Sequence, residues 1–398
     1  EEVFNQMIAK KLLFSLLNAQ FNRSIPPKAR NIWLTLLFWI VLVAPAQAAL
    51  ELRVAIEENT SQVQVGSSTK AAIRNASGQQ VGEIAPMNAF VALSSGGGVA
   101  LDRWRSNSFW IEPEANGYVW IGDRWYRGRT RVVQTSKGLT AINYVDLEQY
   151  LYSVLGGEVY ANWPQEALKA QAVAARTYAL YQRQTRGNNT FDLGDTIAWQ
   201  VYRGLESEAS TLYPAVDSTA GQVLTYNGKI ILAAFHSSSG GHTENVENVW
   251  TSNALPYLQG VPDYDGNTPE AQWTKTFSRD ELTRRLSGVG NVISMTPERV
   301  SPVGRVITIK IVGDRGTRMM SGPAIREALG LKSTWFTVTS DGDKSLPSNF
   351  RIDGRGYGHG IGMSQWGAYS MANQGSNYQQ IVLHYYQGAT LAKIKVEK

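Results

Sequence analysis

The sequence predicts an α+β protein, with a β-rich N-terminal region followed by a mixed domain in which glycine-rich loops surround a cleft. Short alternating segments divided by Gly, Asn and Ser clusters run from Leu50 to about Asn143. The apolar period then lengthens to three and four residues between Tyr144 and Arg183. The C-terminal part opens on the run Gly354-Arg355-Gly356-Tyr357-Gly358-His359-Gly360-Ile361-Gly362, whose glycines let the backbone approach another strand or a ligand closely.

At the N-terminal end, Asn31 to Ala44 is apolar, follows Lys28 and Arg30, and precedes Ala46-Gln47-Ala48, the small-residue pattern of a cleavage site. Its apolar core is shorter than the ~20 residues a membrane-spanning helix needs. Residues 1–48 therefore read as a lead segment carrying a secretory signal, and the protein is expected to be exported, to the periplasm or cell envelope. Residues 49–125 form the β-rich region, with strands such as Leu52 to Ile56 and Tyr118 to Ile121. The aromatics dense here (Trp104, Trp110, Trp120, Trp125, Tyr126) read first as core of a small sheet and second as a sugar-stacking surface.

Residues 126–398 form the second domain. Leu147, Tyr150, Leu151 and Val154 mark a short helix. After a turn expected at Gly156-Gly157, Pro164 starts a longer helix, with Glu166 in its first turn and an alanine stripe along Ala167 to Leu180. Gln222 to Tyr226 and Ile230 to Phe235 are strands joined through Asn227-Gly228. A variable stretch from Pro256 to Leu286 carries no clear pattern. Val306 to Val312 is a strand, Ser321 to Leu329 a helix begun at Gly322-Pro323, and Met363 to Gln374 and Tyr378 to Tyr386 are helices.

The chain has 398 residues, 43% hydrophobic and 18% charged, with a net charge of +5. The charge favours an acidic polymer or anionic envelope. With no long basic run, zinc-finger spacing or basic helix ahead of a heptad pattern, no nucleic-acid partner is expected. Cysteine is absent, which excludes disulfides, a thiol nucleophile and cysteine-ligated metal. Three of the four histidines lie beside glycine turns, namely His236, His242 and His359. Each has a bland reading as a turn cap, and the three together compete as a shared cleft.

His236 and His242 are an option for zinc, although a catalytic site wants about three protein ligands and no His-Glu-x-x-His run is present. Ser237, Ser238 and Ser239 sit beside His236 without the Gly-x-Ser-x-Gly elbow of a serine hydrolase. The glycines near Gly358 lack the Gly-Lys-Ser/Thr ending of a phosphate loop. Glu158, between the two helices, is the carboxylate singled out. Its competing reading is a solvated or capping glutamate.

Several runs carry a specific resemblance: Tyr126-Arg127-Gly128, Leu147-Glu148, Tyr150-Leu151, Gly157-Glu158-Val159, and the unbroken stretch from Glu166 to Tyr178 behind Trp163-Pro164. To these are added Phe235-His236-Ser237 with Ser239-Gly240-Gly241, Gly358 to Ala368, and Ile381 with His384-Tyr385-Tyr386. In them the chain resembles the SpoIID/LytB family of peptidoglycan-remodelling proteins, from roughly Tyr126 to Leu391.

The resemblance implies a SpoIID-type catalytic domain over residues 126–398 and an enzyme, a lytic transglycosylase. Such an enzyme cleaves the β-1,4 bond between N-acetylmuramic acid and N-acetylglucosamine, preferring glycan strands freed of stem peptides. It maps the catalytic glutamate onto Glu158 and substrate-binding positions onto Arg176, Tyr178, His236, Ser237, Ser239, His359 and Gln365. Members of the family differ in whether they carry metal, and with no cysteine ligand available no cofactor is expected, zinc at His236 and His242 being kept as an option. The implied partners are peptidoglycan glycan strands and an amidase. The alternative it carries is a non-catalytic amidase enhancer or glycan-binding module.

Overall fold

The computed structural model describes residues 50–196, 199–250, 253–341 and 347–394. The expected secretory signal lies outside these residues. Among the described residues no helix is long and apolar enough to cross a membrane.

The β-rich half is built from two sheets. Among the described residues, one has seven strands in the order Leu193–Gly194, Glu51–Thr60, Gly138–Asp146, Arg129–Thr135, Ser108–Pro113, Ala71–Arg74, Gln80–Ile84. The other has six, Arg124–Tyr126, Val119–Ile121, Gln62–Ser67, Asn88–Ser95, Gly98–Leu101 and Trp104–Ser106. Alternation drives both, as in Val63 and Val65, buried on either side of exposed Gln64, or Phe109 and Ile111, buried on either side of half-buried Trp110. The boundary expected between 125 and 126 falls inside strand Arg124–Tyr126, and Glu51–Thr60 pairs antiparallel with Gly138–Asp146 across it. The reason is physical: Gly138–Asp146 satisfies the edge hydrogen bonds of Glu51–Thr60, and Leu52 and Val54 share one core with Leu139, Ala141, Leu151 and Leu168 from beyond the expected boundary. Tyr126 is fully buried, whereas Trp104, Trp110, Trp120 and Trp125 are half-buried.

Helix α1 (Leu147–Glu158) starts at Asp146, whose side chain accepts from the N–H groups of Glu148 and Gln149. Gly156 and Gly157 lie within its last turn, so Glu158 ends the helix where a turn was expected. Helix α2 (Gln165–Thr185) has Pro164 at its N-cap, and its alanine stripe is buried. Helix α3 (Tyr213–Ser218) precedes the hairpin at Asn227-Gly228, where φ values of 50° and 74° fit a tight turn. The returning strand is short, Lys229–Ile230. Helix α4 (Val246–Val249) follows the segment Phe235–His236.

Among the described residues, the stretch from Gln272 to Arg355 holds two three-stranded sheets, helix α5 (Arg279–Arg285) and helix α6 (Gly322–Leu329) around its own core of Phe277, Leu282, Ile309, Ile325 and Phe350; the expected strand and helix at Val306–Val312 and Ser321–Leu329 are present, while strand Gln272–Ser278 and α5 lie in the part of it read as patternless. Helix α7 (Gln365–Asn373) and helix α8 (Tyr378–Tyr385) then pack against α2 in a separate core with Leu258, Ile361 and Met363.

Candidate active site

Glu158 is placed by three chain segments. Its own helix ends in Gly156 and Gly157 because another strand of backbone lies against them: a Cβ on Gly156 would collide with Ser207 O, and one on Gly157 would come within 3.0 Å of Val201 O. That close approach brings Val201 N–H to Glu158 Oε1 at 3.1 Å. The approaching loop is laced down by Tyr150 Oη donating to Gln200 Oε1 (3.2 Å), Tyr202 Oη donating to Asn143 Oδ1 (2.7 Å) and Arg203 N–H donating to Ser153 Oγ (3.2 Å). The third segment is the start of α7, where the buried Gln365 turns its amide towards the carboxylate, its Nε2 closing no full hydrogen bond.

Burial pushes the Glu158 carboxyl above the usual glutamate range, against the opposing pull of the Val201 N–H, the Gln365 amide and the Arg203 charge. Tyr178, half-buried on α2, stands close enough for the Glu158 charge to raise its phenol further after burial has done most of it. Glu158, Tyr178 and Gln365, chosen from sequence, therefore share one place. The half-buried Asp195 carboxyl is also pushed up, to about 6, by burial, but it faces Arg124, Glu57 and Glu58.

Burial favours the neutral form of two histidines in the glycine-rich segments, His236 and His359. Strand Phe235–His236 runs parallel to Met363–Ser364, which sets the two glycine-rich segments side by side, and the His236 and His359 rings lie 5.2 Å apart. His236 Nδ1 bonds Ile361 O at 3.1 Å, which assigns the ring hydrogen to Nδ1, while its Nε2 is buried without a partner. His359 Nδ1 accepts from Ile361 N–H at 3.0 Å. Burial drives His236 well below the usual imidazole range and His359 down to about 3. His242 is turned to Thr243 O at 2.6 Å, and among the described residues no group of three or more His, Cys, Asp or Glu is arranged to hold a metal.

Arg176 departs from its expected role as a substrate-binding residue. It is 0% exposed, and its guanidinium is taken up by Glu148 in a bidentate pair, by Gln222 O at 3.1 Å and by Val216 O at 3.3 Å. A side chain so enclosed fastens α1 to α2 and offers no donor to a ligand.

Ser239 is also withdrawn. Its Oγ donates to Asp263 Oδ2 at 2.6 Å and lies 3.3 Å from Asp265 Oδ1, while Arg305 Nη2 donates to Ser239 O at 2.7 Å. Burial and the neighbouring Asp265 hold the Asp263 carboxyl above its usual range. Ser237 is half-buried and its carbonyl accepts from Trp366 N–H at 3.0 Å.

Two kinds of site feature were not legible in sequence. Val201 contributes a backbone N–H, which any residue carries. Tyr160, Trp163, Trp366 and Tyr369 gather beside Glu158 and Gln365, and although Trp163 and Trp366 stand in the runs that carry the resemblance, their mutual contact has no sequence signal.

A family model described as stage II sporulation protein matches residues 135–226, which include Glu158 and Val201, and a domain of unknown function matches 271–362, the region that builds the core of Phe277, Leu282, Ile309, Ile325 and Phe350. The chain is similar to an uncharacterized protein of Brachyspira hyodysenteriae, with 35% identity over 69% of this chain and 74% of the relative. It is similar to the amidase enhancer of Bacillus subtilis, with 34% identity over 61% of this chain and 40% of that protein. It is also similar to stage II sporulation protein D of Bacillus subtilis, with 36% identity over 64% of this chain and 76% of the relative. With that similarity joined to the matching family model, the chain belongs to the SpoIID family.

Proposed function

We propose that this protein is an exported peptidoglycan lytic transglycosylase that cuts N-acetylmuramic acid–N-acetylglucosamine bonds. It would act on glycan strands stripped of stem peptides, in cell-wall remodelling, septation or sporulation. The observation that carries the reading is Glu158 itself, a carboxyl raised by burial and held by a backbone N–H at the end of a helix.

A raised carboxyl keeps its proton to higher pH than a free glutamate does and can give it to the leaving glycosidic oxygen as the C1–O bond breaks. The resulting carboxylate then takes the proton of the sugar's own 6-hydroxyl, whose oxygen closes on C1. One carboxyl thus does both proton transfers, the product is a 1,6-anhydro sugar, and no water is consumed. Ordinary glycosidases use two carboxyls.

The second reading is an enhancer of an amidase, with glycan binding but no bond cleavage. It is supported by the similarity to a protein named amidase enhancer, of which this chain spans 40%. The location in the cell envelope rests on the signal-like segment Asn31 to Ala44.

Mass spectrometry of amidase-treated glycan strands incubated with the purified protein, beside Glu158→Gln, tests the proposal. Anhydromuramic ends made by the parent and lost in the variant are the expected result. Absence of products from both proteins moves the reading to the enhancer.

A further inference from the structure

Tyr160 is 63% exposed, a large aromatic surface left in water two residues beyond Glu158. Its ring lies 6.1 Å from that of Trp366, the neighbour of Gln365. Trp163, only 8% exposed, fills in behind both rings, 5.9 Å from Tyr160 and 4.9 Å from Trp366. Tyr369 closes the group at 5.2 Å from Trp163 and 5.3 Å from Trp366. The rings are tilted by 44° to 73°, so Trp163 braces the others in fixed orientations.

The two segments that present this group are the same two that bring Glu158 and Gln365 together. A braced, half-wet aromatic row on the two segments that carry Glu158 and Gln365 suits a ligand that is apolar on one side and polar around its edge. A pyranose ring is such a ligand: its axial C–H bonds form an apolar face with partial positive charge, which complements the negative face of an aromatic ring. A peptide partner would account for the exposed Tyr160 but not for its place, just past the helix that ends in Glu158 and beside the residue next to Gln365.

We propose that Tyr160 and Trp366, braced by Trp163, form a stacking platform for a sugar ring of a β-1,4-linked N-acetylhexosamine chain, setting the adjoining glycosidic bond against Glu158. The platform rests on the reading of Glu158 as facing a glycan, and it fixes where along the strand the carboxyl acts. It does not require that Glu158 cleave, so its test can be kept apart from the test of catalysis.

Chitohexaose, the β-1,4 hexamer of N-acetylglucosamine, is titrated into the full chain carrying Glu158→Gln, so that no cleavage intervenes. Calorimetry gives Kd and tryptophan fluorescence reports the environment of Trp163 and Trp366. Adding Tyr160→Ala is expected to weaken binding about three- to tenfold, while Tyr160→Phe, which keeps the ring, leaves Kd unchanged. Because Tyr160 is exposed, the thermal midpoint of Tyr160→Ala should match its parent, and Trp366→Ala serves as the second variant. Equal Kd for Tyr160→Ala and its parent, or no binding by the parent, overturns the platform. Tyr160-dependent binding combined with no anhydro products from the wild type keeps the platform and removes the transglycosylase. Products made with an unchanged KM in Tyr160→Ala do the reverse.

Discussion

Val201 donates its backbone N–H to Glu158 Oε1 at 3.1 Å, across forty-three residues of chain. Because the donor is backbone, it survives any substitution at position 201 except proline. It pulls the carboxyl down while burial pushes it up, and burial wins.

Glu158→Gln keeps an oxygen for the Val201 N–H and removes the titrating proton. Product formation should fall about 10²- to 10⁴-fold. The folded protein holds the Glu158 proton more tightly than the unfolded chain does, so the parent loses stability as pH rises from the ordinary glutamate range through the raised value. The variant escapes that loss. Its thermal midpoint should exceed the parent's above that window and converge with it below, and parallel pH curves for the two proteins would refute the raised carboxyl.

Gly156→Ala should destabilise although alanine favours a helix by roughly 0.5–1 kcal/mol over glycine. The new Cβ meets Ser207 O, and relieving that contact displaces the loop that carries Val201. A loss of about 1–3 kcal/mol in denaturant unfolding, with reduced product formation, is expected. A gain in stability would mean the loop does not lie there.

Arg176→Ala leaves Glu148 without its partner inside the contact between α1 and α2, at a cost of about 3–5 kcal/mol in unfolding free energy. Arg176→Lys should recover only part, because an ammonium cannot make the paired hydrogen bonds of the guanidinium. At temperatures where Arg176→Lys is folded, its KM should equal the parent's. A raised KM in that variant would instead return Arg176 to the substrate.

Tyr385→Phe removes the hydroxyl that donates to Asp263 Oδ1 at 2.6 Å, beside Asp265. The hydroxyl favours the ionised form of Asp263, so its loss raises that carboxyl further. Destabilisation of about 1–3 kcal/mol is expected where Asp263 is ionised, shrinking as pH falls and the group protonates. Urea midpoints measured across the acid range check this, and a deficit that grows in acid would contradict it.

Local patterns served well where neighbours in sequence decide the structure. The alanine stripe of α2, the turn at Asn227-Gly228 and the helix begun at Gly322-Pro323 each depend on a few adjacent residues. The same reasoning failed at Gly156-Gly157, read as a turn although the helix runs through them: the glycines are there for the backbone that crosses outside. It also missed strands Gln272–Ser278 and Val292–Val300 of the core that Val306–Gly313 and α6 belong to; in the second, Pro297 and irregular pairing around it blur the strand period.

The sequence by itself determined the mixed helix-and-strand composition, the identity of Glu158 as the carboxyl to examine, and the family resemblance, because periodicity and motif spacing are written in contiguous residues. Only the tertiary structure decided that Arg176 is enclosed with Glu148, that Gln365 and Tyr178 share the neighbourhood of Glu158, and that Tyr160 meets Trp366. Those relations join segments far apart in the chain, and burial, which sets both the Glu158 carboxyl and the enclosure of Arg176, exists only once the segments have packed.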